Sequence, residues 1–400
     1  MGRPAGECDL NAGGPGPRQA FLTHQRKPRP GTTGSSPDCS RPRLSPLSRA
    51  LVLAGLVCIS CQAQPGPFHI KLPAGFHLEI YARVPGARQL CLTPNGTLFV
   101  GTRTDRVYAV TPQKKVIEVC RGLSNPNGVA YRDDSLYIGE VGRLLRITNV
   151  LQRLESKPLP EVLNNSLPDN LHHGYRVIRF GPDQRLYIGI GAPCNVGENP
   201  DPFGSLSRFS LDFRKVEVYA RGVRNTMGFD WNPRDGSLWF TDNGRDLLGD
   251  DVPPEELNRA PRGGLHFGFP YRFGNNQPDP DFGSRAPAGL KTIPPEVPMQ
   301  AHMAPLGMRF YRGKQFPANY RDCILLATHG SWNRSSPVGY NLMLARPDAA
   351  GQFRAETFAE GWLEGDKVKG RPVDVQELAD GSVAISDDYA GVIYRLSYSH

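Results

Sequence analysis

Short runs of apolar, β-branched and aromatic residues recur along the chain, and polar turn residues precede most of them. The six runs share a pattern of the type Leu-Tyr-Ile-Gly and lie at 96–101, 135–139, 185–189, 236–241, 323–328 and 381–386. Turns such as Asn95-Gly96, Asp235-Gly236 and Asp380-Gly381 reach positive φ at little cost and suit tight hairpins. The pattern predicts β-strands, and no segment shows a sustained 3.6-residue period.

The loop and strand before each turn repeat as well, so one unit consists of a loop, a strand, a tight turn and a second strand. The units are spaced by about 38 to about 60 residues, with one interval of nearly 90. This periodicity predicts an all-β, six-bladed β-propeller over residues 66–398, with an insertion in one blade. A β-sandwich is the structural alternative, although a sandwich needs no repeat.

Two further expectations concern the ring and its loops. The early strand at 75–82 is expected to pair with the final blade, because closure hides strand edges that otherwise template aggregation. Segment 144–154 comes nearest to a helical pattern and is short. The segments 250–258 and 270–289, in the long interval, are expected to be loops that project from one face.

Composition places the chain among soluble globular proteins, with 39% hydrophobic and 22% charged residues. The net charge of +8 is concentrated near the start, where residues 1–65 hold eight Lys/Arg and three Asp/Glu. The remainder is nearly balanced, with 39 basic and 36 acidic residues. A balanced body gives no reason to expect nucleic-acid binding, which usually needs a clustered basic face.

Residues 1–63 are expected to be a disordered leader followed by a signal peptide. Basic residues up to Arg49 precede an apolar run at 50–60, and small residues follow at a cleavage-like site. The run is short for a membrane span, so the mature chain is expected to be periplasmic or secreted. A buried strand or helix is the alternative, and lipid attachment at Cys61 is a further one.

Four cysteines follow the leader, and they show no Cys-x-x-Cys spacing: Cys91, Cys120, Cys194 and Cys323. A zinc site is therefore not expected, whereas one disulfide is possible in an oxidising compartment, between any of these residues. The chain also lacks a haem-attachment motif, so an oxidoreductase of this sequence needs a separate electron acceptor.

Histidine and arginine occur at equivalent positions of the repeat. His172-His173, Arg224-Asn225 and Arg371 lie roughly ten to fourteen residues before three of the apolar runs. In a propeller the first strand of each blade lines the central channel, so these residues are expected at one mouth. Such a ring suits a planar anionic ligand, since arginine pairs with carboxylates and stacks on flat rings.

Ordinary structural roles remain open for the same residues. Arg371 could form a surface salt bridge, and Arg224-Asn225 could cap a loop. His172 and His173 would point to opposite faces if they lie on a strand, so at most one of them is expected to act. A neutral histidine there can serve as a base at physiological pH.

These residues belong to a series of motifs, which lie in order at 171–183, 222–228, 240–246, 268–270, 302–307, 330–334, 370–375 and 386–395. Over roughly residues 70–398 the sequence resembles the glucose/sorbosone dehydrogenase family, nearer its sorbosone branch. The resemblance implies a six-bladed propeller that binds pyrroloquinoline quinone (PQQ) over the channel mouth together with Ca²⁺.

The resemblance also implies roles for individual residues. His173 matches the base that takes the proton of the sugar's anomeric hydroxyl as hydride passes to C5 of the quinone. Arg224 matches the arginine that polarises the accepting quinone oxygen, and Asn225 matches its neighbour on the cofactor. Arg371 matches an arginine that meets the cofactor's carboxylates.

Gly244 and Arg245 fall where two backbone carbonyls hold the cofactor-linked calcium in the family. Arg245 stands where the glucose branch has proline. A cation beside Ca²⁺ is unfavourable unless an acidic residue offsets it, and the nearest candidates in sequence are Asp242, Asp246 and Asp250.

Other departures concern the cofactor's remaining contacts. Arg334 is the candidate for a cofactor-binding lysine of the glucose branch, which has no clean match here. Val373 takes the place of the second arginine of that branch's Arg-x-Arg motif. PQQ binding is therefore expected, whereas glucose specificity is not.

The sequence thus predicts PQQ-dependent oxidation of an aldose or a sugar aldehyde such as sorbosone, with a separate quinone or cytochrome as electron acceptor. Two alternatives stay open. One is a calcium-dependent sugar lactonase, which would place carboxylate and asparagine ligands at the channel. The other is a non-catalytic propeller that binds carbohydrate or protein.

Overall fold

The computed structural model describes residues 69–399, in which six sheets follow one another, each built on four antiparallel strands, with a fifth strand added to one of them. The expected leader, the signal peptide and the lipid site at Cys61 lie outside the described residues. Within the described part, no helix has the length and apolarity needed to cross a membrane. The cysteines at 91, 120 and 323 are free thiols.

Strand β1 (Phe76–Arg83) precedes the first sheet and belongs to the last one. The first three blades follow in chain order, and each begins with its innermost strand. Blade 1 consists of β2 (Ala87–Leu92), β3 (Leu98–Thr102), β4 (Arg106–Val110) and β5 (Val116–Arg121). Blade 2 consists of β6 (Gly128–Arg132), β7 (Ser135–Glu140), β8 (Arg143–Thr148) and β9 (Glu161–Asn164). Blade 3 consists of β10 (Ile178–Phe180), β11 (Leu186–Ile190), β12 (Ser205–Phe209) and β13 (Val216–Arg221).

Blade 4 carries the predicted insertion between its third and fourth strands. It consists of β14 (Phe229–Trp231), β15 (Leu238–Asp242), β16 (Glu255–Ala260) and β20 (Val297–Met299). The insertion between β16 and β20 contains the short strands β17 (Leu265–His266), β18 (Arg272–Phe273) and β19 (Gln277–Pro278). Strand β17 pairs in parallel with β13 and so extends blade 3.

The last two blades complete the ring. Blade 5 consists of β21 (Pro305–Phe310), β22 (Ile324–Thr328), β23 (Asn341–Pro347) and β24 (Phe353–Ala359). A small hairpin follows, made of β25 (Leu363–Glu364) and β26 (Lys367–Val368). Blade 6 consists of β27 (Pro372–Glu377), β28 (Val383–Asp387), β29 (Val392–Tyr398) and β1. The helical turns are 3₁₀ and lie at Val150–Gln152, Gly283–Arg285 and Ala318–Tyr320.

The six-bladed propeller and its closure are confirmed. The six repeated runs form the second strands of the six blades, and β1 pairs with β29 from Phe76↔Tyr398 to Arg83↔Val392. The near-helical segment 144–154 is strand β8 followed by a 3₁₀ turn. The prediction of a loop over 250–258 was wrong in part, because residues from Glu255 onward form β16, where Glu255 and Glu256 are buried and accept backbone N–H groups.

The core consists of six clusters, one at each junction between neighbouring blades. Between blades 5 and 6, for example, Trp362 packs edge-on against Tyr394, and Phe316 stacks on Tyr311. Burial of large apolar side chains at every junction holds each blade against its neighbours, at roughly 25 cal/mol per Å² of apolar surface. A small seventh cluster of Met227, Leu306 and Val373 lies at the inner strands of blades 4 to 6.

The inner strands approach one another so closely that side chains are excluded at some positions. A Cβ atom on Gly228 would lie 2.1 Å from the carbonyl oxygen of Leu306 on the neighbouring inner strand. Glycine is therefore required there by close contact between blades 4 and 5. Gly236 differs, because its tight turn has a φ of 70° and leaves open space around a Cβ atom.

We predict that Gly228→Ala lowers the free energy of unfolding by about 3 kcal/mol, because the added methyl group must push two backbones apart. Gly236→Ala is the control and costs about 1 kcal/mol, from its positive φ alone. Urea unfolding measures both. Equal costs for the two variants would contradict the close approach of these strands.

Candidate functional site

Hydrogen bonds run around the mouth of the channel, where the loops that lead into the inner strands meet. His173 lies in a turn before β10, and its backbone carbonyl accepts a bond of 3.1 Å from Arg176 Nη1. The carbonyl of Arg176 accepts a bond of 2.7 Å from Asn127 Nδ2 in blade 2. Arg88 of blade 1 then donates from Nε to Asn127 Oδ1 at 2.6 Å.

The same chain of bonds continues across the seam between the first and last blades. Arg88 Nη1 donates to Asp388 Oδ2 at 2.7 Å, and Asp388 Oδ1 lies 2.9 Å from His329 Nε2. The carbonyl of His329 accepts a bond of 2.9 Å from Arg371 Nε. His173 and Arg371, far apart in sequence, thus lie on one rim of the propeller.

A second arc closes the ring on the other side. Ala192 accepts a bond of 2.8 Å from His173 Nδ1, and its own N–H donates to the carbonyl of Arg224 at 2.8 Å. Arg224 Nη1 donates to the carbonyl of Asn243 at 3.2 Å, and Asn243 Nδ2 donates to the carbonyl of Pro305 at 2.7 Å. The predicted residues of three different blades therefore share one mouth.

The backbone of His173 adopts φ 50°, a left-handed conformation that non-glycine residues rarely take. Its Nδ1 faces a carbonyl and must carry the proton, which leaves Nε2 as the acceptor, without a protein partner in residues 69–399. Burial, and then the charge of Arg224, hold the pKa of His173 well below its usual value, so the imidazole is neutral at pH 7. A strained, neutral and oriented histidine is what a general base requires.

The expectation that His172 and His173 point to opposite faces was wrong. Both residues lie in a turn rather than on a strand, and their ring centroids are 4.1 Å apart. Partial desolvation of the ring, and then the charge of Arg224, lower the pKa of His172 as well. The alternation rule fails here because it applies only to extended backbone.

Arg224 is buried, and protein acceptors already occupy most of its guanidinium. Nε donates to the carbonyl of Asn195 at 2.7 Å, whereas Nη2 donates to Asn195 Oδ1 at 2.9 Å and to Asp246 Oδ2 at 2.8 Å. Its backbone N–H and that of Asn225 are capped by Asp242 at 2.9 and 2.6 Å. The loop-cap role considered for Arg224-Asn225 therefore holds for their backbone N–H groups. On the Arg224 side chain, Nη1 is the nitrogen that keeps a hydrogen for a ligand.

Asn225 points its amide towards His173. A Cβ atom on Gly191 would lie 2.5 Å from His173 Cβ and 2.8 Å from Asn225 Oδ1, so glycine lets these side chains converge. Asn225 Oδ1 is buried without a hydrogen-bond donor. Such an orphaned acceptor costs free energy unless a ligand or water satisfies it.

Arg371 donates from Nε and Nη2 to the carbonyls of His329 and Gly330, both at 2.9 Å, and its guanidinium lies 5.3 Å from the centre of the Tyr340 ring. It forms no ion pair within the described residues, so the surface salt bridge considered for it is absent there. Its charge is left for an anion at the mouth. Arg334 instead binds the backbone of Asp250 and, at 3.2 Å, the carboxylate of Asp251.

The segment predicted to hold calcium lies beside Arg224. The carbonyls of Gly244 and Arg245 accept no hydrogen bond from residues 69–399, and Gly244 donates to Glu255 at 2.8 Å. Arg245 is offset by Asp279 at 2.9 Å and Asp281 at 2.8 Å, not by the acidic residues expected from sequence proximity. The reason is the blade 4 insertion, which folds back over this segment.

Burial raises the pKa of Asp242 to about 7 and that of Glu255 to about 8, so a large share of each of these two carboxyls is protonated near pH 7. No group of three or more His, Cys, Asp or Glu side chains among the described residues is arranged to hold a metal ion. A calcium ion here would therefore depend on backbone carbonyl oxygens, as the prediction for Gly244 and Arg245 requires.

Sequence reasoning assigned no contact at the mouth to several residues, although it named Asp246 as a possible counter-charge for Arg245. Asn195, Asp246, His329 and Asp388 lie in loops that follow second strands, and Arg88 lies on an inner strand. Because second strands run antiparallel to first strands, the loops after them end at the same mouth. The polar residues after each repeated run were therefore a usable signal.

The residues fit a planar polyanion such as PQQ in three respects. Arg371 has an unpaired charge, Asn225 Oδ1 lacks a donor, and Arg224 keeps its Nη1 edge. The apolar cluster of Met227, Leu306 and Val373 at the inner strands is buried and packs with the half-buried Tyr175. The arrangement differs from the expectation in two respects, because protein groups hold Arg224 firmly and Arg334 is bound to Asp250 and Asp251.

Comparisons with known proteins bear on the whole chain. A family model described as TrAA12-like matches residues 285–361. The PQQ domain of pyranose dehydrogenase from Coprinopsis cinerea is 17% identical, covers 84% of this chain and 99% of its own, and superposes with a TM-score of 0.69. The PQQ-bound aldose sugar dehydrogenase of Streptomyces coelicolor is 18% identical, covers 82% of this chain and 100% of its own, and has a TM-score of 0.61.

At these identities the two solved structures establish the fold. An uncharacterized protein of Borreliella burgdorferi is 36% identical over 345 residues, which cover 82% of this chain and 91% of that protein. The chain therefore belongs to one family with the Borreliella burgdorferi protein, and it shares the propeller fold of the PQQ domain of pyranose dehydrogenase and of the aldose sugar dehydrogenase.

Proposed function

We propose that the protein oxidises an aldose or a related sugar aldehyde with PQQ as cofactor and passes the electrons to a separate acceptor. One observation carries the proposal. The neutral, oriented imidazole of His173 binds the carbonyl of Ala192, and the N–H of Ala192 donates to the backbone carbonyl of Arg224, so one residue links the two at the mouth of the channel. The shared fold with PQQ-bound sugar dehydrogenases supports the identity of the cofactor.

His173 would receive the proton of the sugar's anomeric hydroxyl at Nε2, since Nδ1 is protonated against Ala192. When bound, PQQ accepts the hydride from the sugar carbon. Arg224 would stabilise the charge that develops on the acceptor oxygen through its Nη1 edge. Asn225 Oδ1 would accept a hydrogen bond from the ligand.

The cofactor's carboxylates would pair with Arg371, with Arg334 as a more distant contributor. The carbonyls of Gly244 and Arg245 would hold calcium beside the cofactor. A sorbosone-type aldehyde is the substrate we favour within the class, because Val373 stands where the glucose branch has the second arginine of its Arg-x-Arg motif. The leader pattern at residues 1–63 supports export to the periplasm or beyond.

We predict that the purified protein binds PQQ in an absorbance titration with Ca²⁺ present and more weakly without it. A dye-coupled assay over aldoses and sorbosone then shows reduction. Arg371→Gln weakens PQQ binding about tenfold or more, because it removes the unpaired charge at the mouth. Arg354→Gln, on the exposed outer strand β24, is the matched control and leaves binding unchanged.

Two results would contradict the proposal. One is the absence of both PQQ binding and dye reduction with any substrate. The other is hydrolysis of sugar lactones without PQQ, which would identify the lactonase instead. Activity that survives Arg371→Gln undiminished would remove that residue from the site.

A second prediction concerns the pH dependence of kcat/KM. The neutral form of His173 is the active base, and its pKa in the fold lies well below 6.5. The rate should therefore hold as pH falls from 8 through 6.5 and decline only at lower pH, as the imidazole becomes protonated. An acid limb centred at or above pH 6.5 in the wild type would exclude His173 as the titrating base.

A third prediction separates the strain at His173 from its chemistry. His173→Gly should be more stable than His173→Ala by about 1 kcal/mol, because glycine adopts the positive φ without penalty. Both variants should lose about 10²-fold to 10⁴-fold in kcat. Urea unfolding and the dye assay measure the two effects. A His173→Gly protein with full activity would show that the imidazole has no catalytic role.

A further inference from the structure

The segment Ala192–Asn195 follows strand β11 and contacts both residues assigned to the chemistry. Ala192 binds the side chain of His173 and the carbonyl of Arg224, as described above. Asn195 contacts Arg224 twice, with its carbonyl on Nε at 2.7 Å and its Oδ1 on Nη2 at 2.9 Å. None of the motifs considered in the sequence includes this segment.

Asn195 is itself fixed by the opposite loop. Its Oδ1 accepts a bond of 2.8 Å from the backbone N–H of Asp246, and its Nδ2 donates to the carbonyl of Asp246 at 3.1 Å. The side-chain amide of Asn195 thus forms two hydrogen bonds with the main chain of Asp246, one as donor and one as acceptor. Both lone pairs of Oδ1 are used, so the side chain cannot rotate without loss of these bonds.

This arrangement leaves Arg224 a single orientation. Nε and Nη2 are taken by Asn195 and Asp246, and only Nη1 keeps a hydrogen beyond its bond to Asn243. A free arginine side chain has many rotamers, and to restrict them at the moment of reaction costs rate. A guanidinium that is held in advance avoids that cost.

We propose that Asn195 is a positioning residue, which holds Arg224 with its Nη1 edge turned to the ligand at the mouth. The catalytic consequence rests on the proposed function, because it assumes that Arg224 acts on the reacting group. The hold itself does not depend on any cofactor.

Asparagine suits this place for a chemical reason. Aspartate would keep the acceptor on Arg224 but would lose the donor to Asp246 and add a second carboxylate to one guanidinium. Alanine would remove both contacts of the side chain. Asn199 offers a matched control, because it is half-buried on the same loop and donates only to the carbonyl of Gly197 at 2.8 Å.

The first test uses the protein without cofactor. Urea midpoints are measured for Asn195→Ala, Arg224→Ala and the double variant. If the two side chains act together, Asn195→Ala lowers the midpoint more in the wild type than in the Arg224→Ala background, where only the bonds of Asn195 to Asp246 are lost. Asn199→Ala should lower the midpoint equally in both backgrounds. Additive effects of Asn195→Ala and Arg224→Ala would show that Asn195 does not hold Arg224.

A second readout follows the imidazole of His173 by NMR titration in the same cofactor-free proteins. The charged or titratable groups that act on it are Arg224, His172 and Arg176. Release of Arg224 towards solvent in Asn195→Ala weakens its effect, so the pKa of His173 should rise, whereas Asn199→Ala should leave it unchanged. An unchanged pKa in Asn195→Ala means that Arg224 stays in place without Asn195.

The third test uses the protein loaded with PQQ and Ca²⁺. Asn195→Ala should lower kcat at least about tenfold with little change in KM for the sugar, and should have no further effect in the Arg224→Ala background. Asn195→Asp, which keeps the acceptor on Nη2, should recover part of the rate. If Asn195→Ala also lowers the rate in the Arg224→Ala background, Asn195 acts by stabilising its loop and not through Arg224.

The outcomes separate the two proposals. If the wild type does not bind PQQ, the proposed function fails, and the unfolding cycle and the His173 titration still decide whether Asn195 holds Arg224. If PQQ binds and the sugar is oxidised but Asn195→Ala matches Asn199→Ala in every assay, the proposed function stands and the role of Asn195 is overturned.

Discussion

Closure of the ring by the pairing of β1 with β29 is the constraint on which the mouth depends. It brings blade 1 against blade 6, and the bonds that cross this seam join residues about three hundred positions apart. Arg88 donates to Asp388, and Ser386 Oγ donates to the carbonyl of Arg88 at 2.6 Å. Without closure, the arc that links His173 to Arg371 has a gap at this seam. The outermost strand of the last blade therefore supports chemistry at the innermost loops.

Charge at the mouth is distributed unevenly, and this unevenness defines what the site can bind. Arg88, Arg224 and Arg245 are each paired with a carboxylate, whereas Arg371 is held by carbonyl oxygens alone. A paired guanidinium orients and polarises its surroundings but offers little attraction to a further anion. Positive charge without a carboxylate partner thus lies on Arg371 at blade 6 and on the buried Arg176 before blade 3, which is likewise bound only by carbonyl oxygens.

The sequence predicted the parts of the structure that repeat. The six strand runs, the tight turns and the equivalence of positions before each inner strand place His173, Arg224 and Arg371 without any knowledge of contacts. It failed where a contact depends on an insertion or on the backbone of one turn. Arg245 pairs with Asp279 of the blade 4 insertion, and the repeat does not predict the contacts of an insertion. The His172-His173 pair was assigned strand geometry because a positive φ at histidine has no signature in the sequence.

The two histidines on the rim show why the partner of an imidazole matters more than its position. His329 shares a hydrogen bond with the carboxylate of Asp388, and that bond, with nearby arginines, holds the pKa of Asp388 far below its usual value although burial raises it. The Nε2 atom of His329 is therefore occupied by its hydrogen bond with Asp388. His173 is oriented by the neutral carbonyl of Ala192, which fixes the tautomer and leaves Nε2 open. A carboxylate in that place would raise the pKa of His173 towards the protonated form. The carbonyl of Ala192 instead orients the ring, while burial and then the charge of Arg224 hold the pKa of His173 low and keep the imidazole neutral.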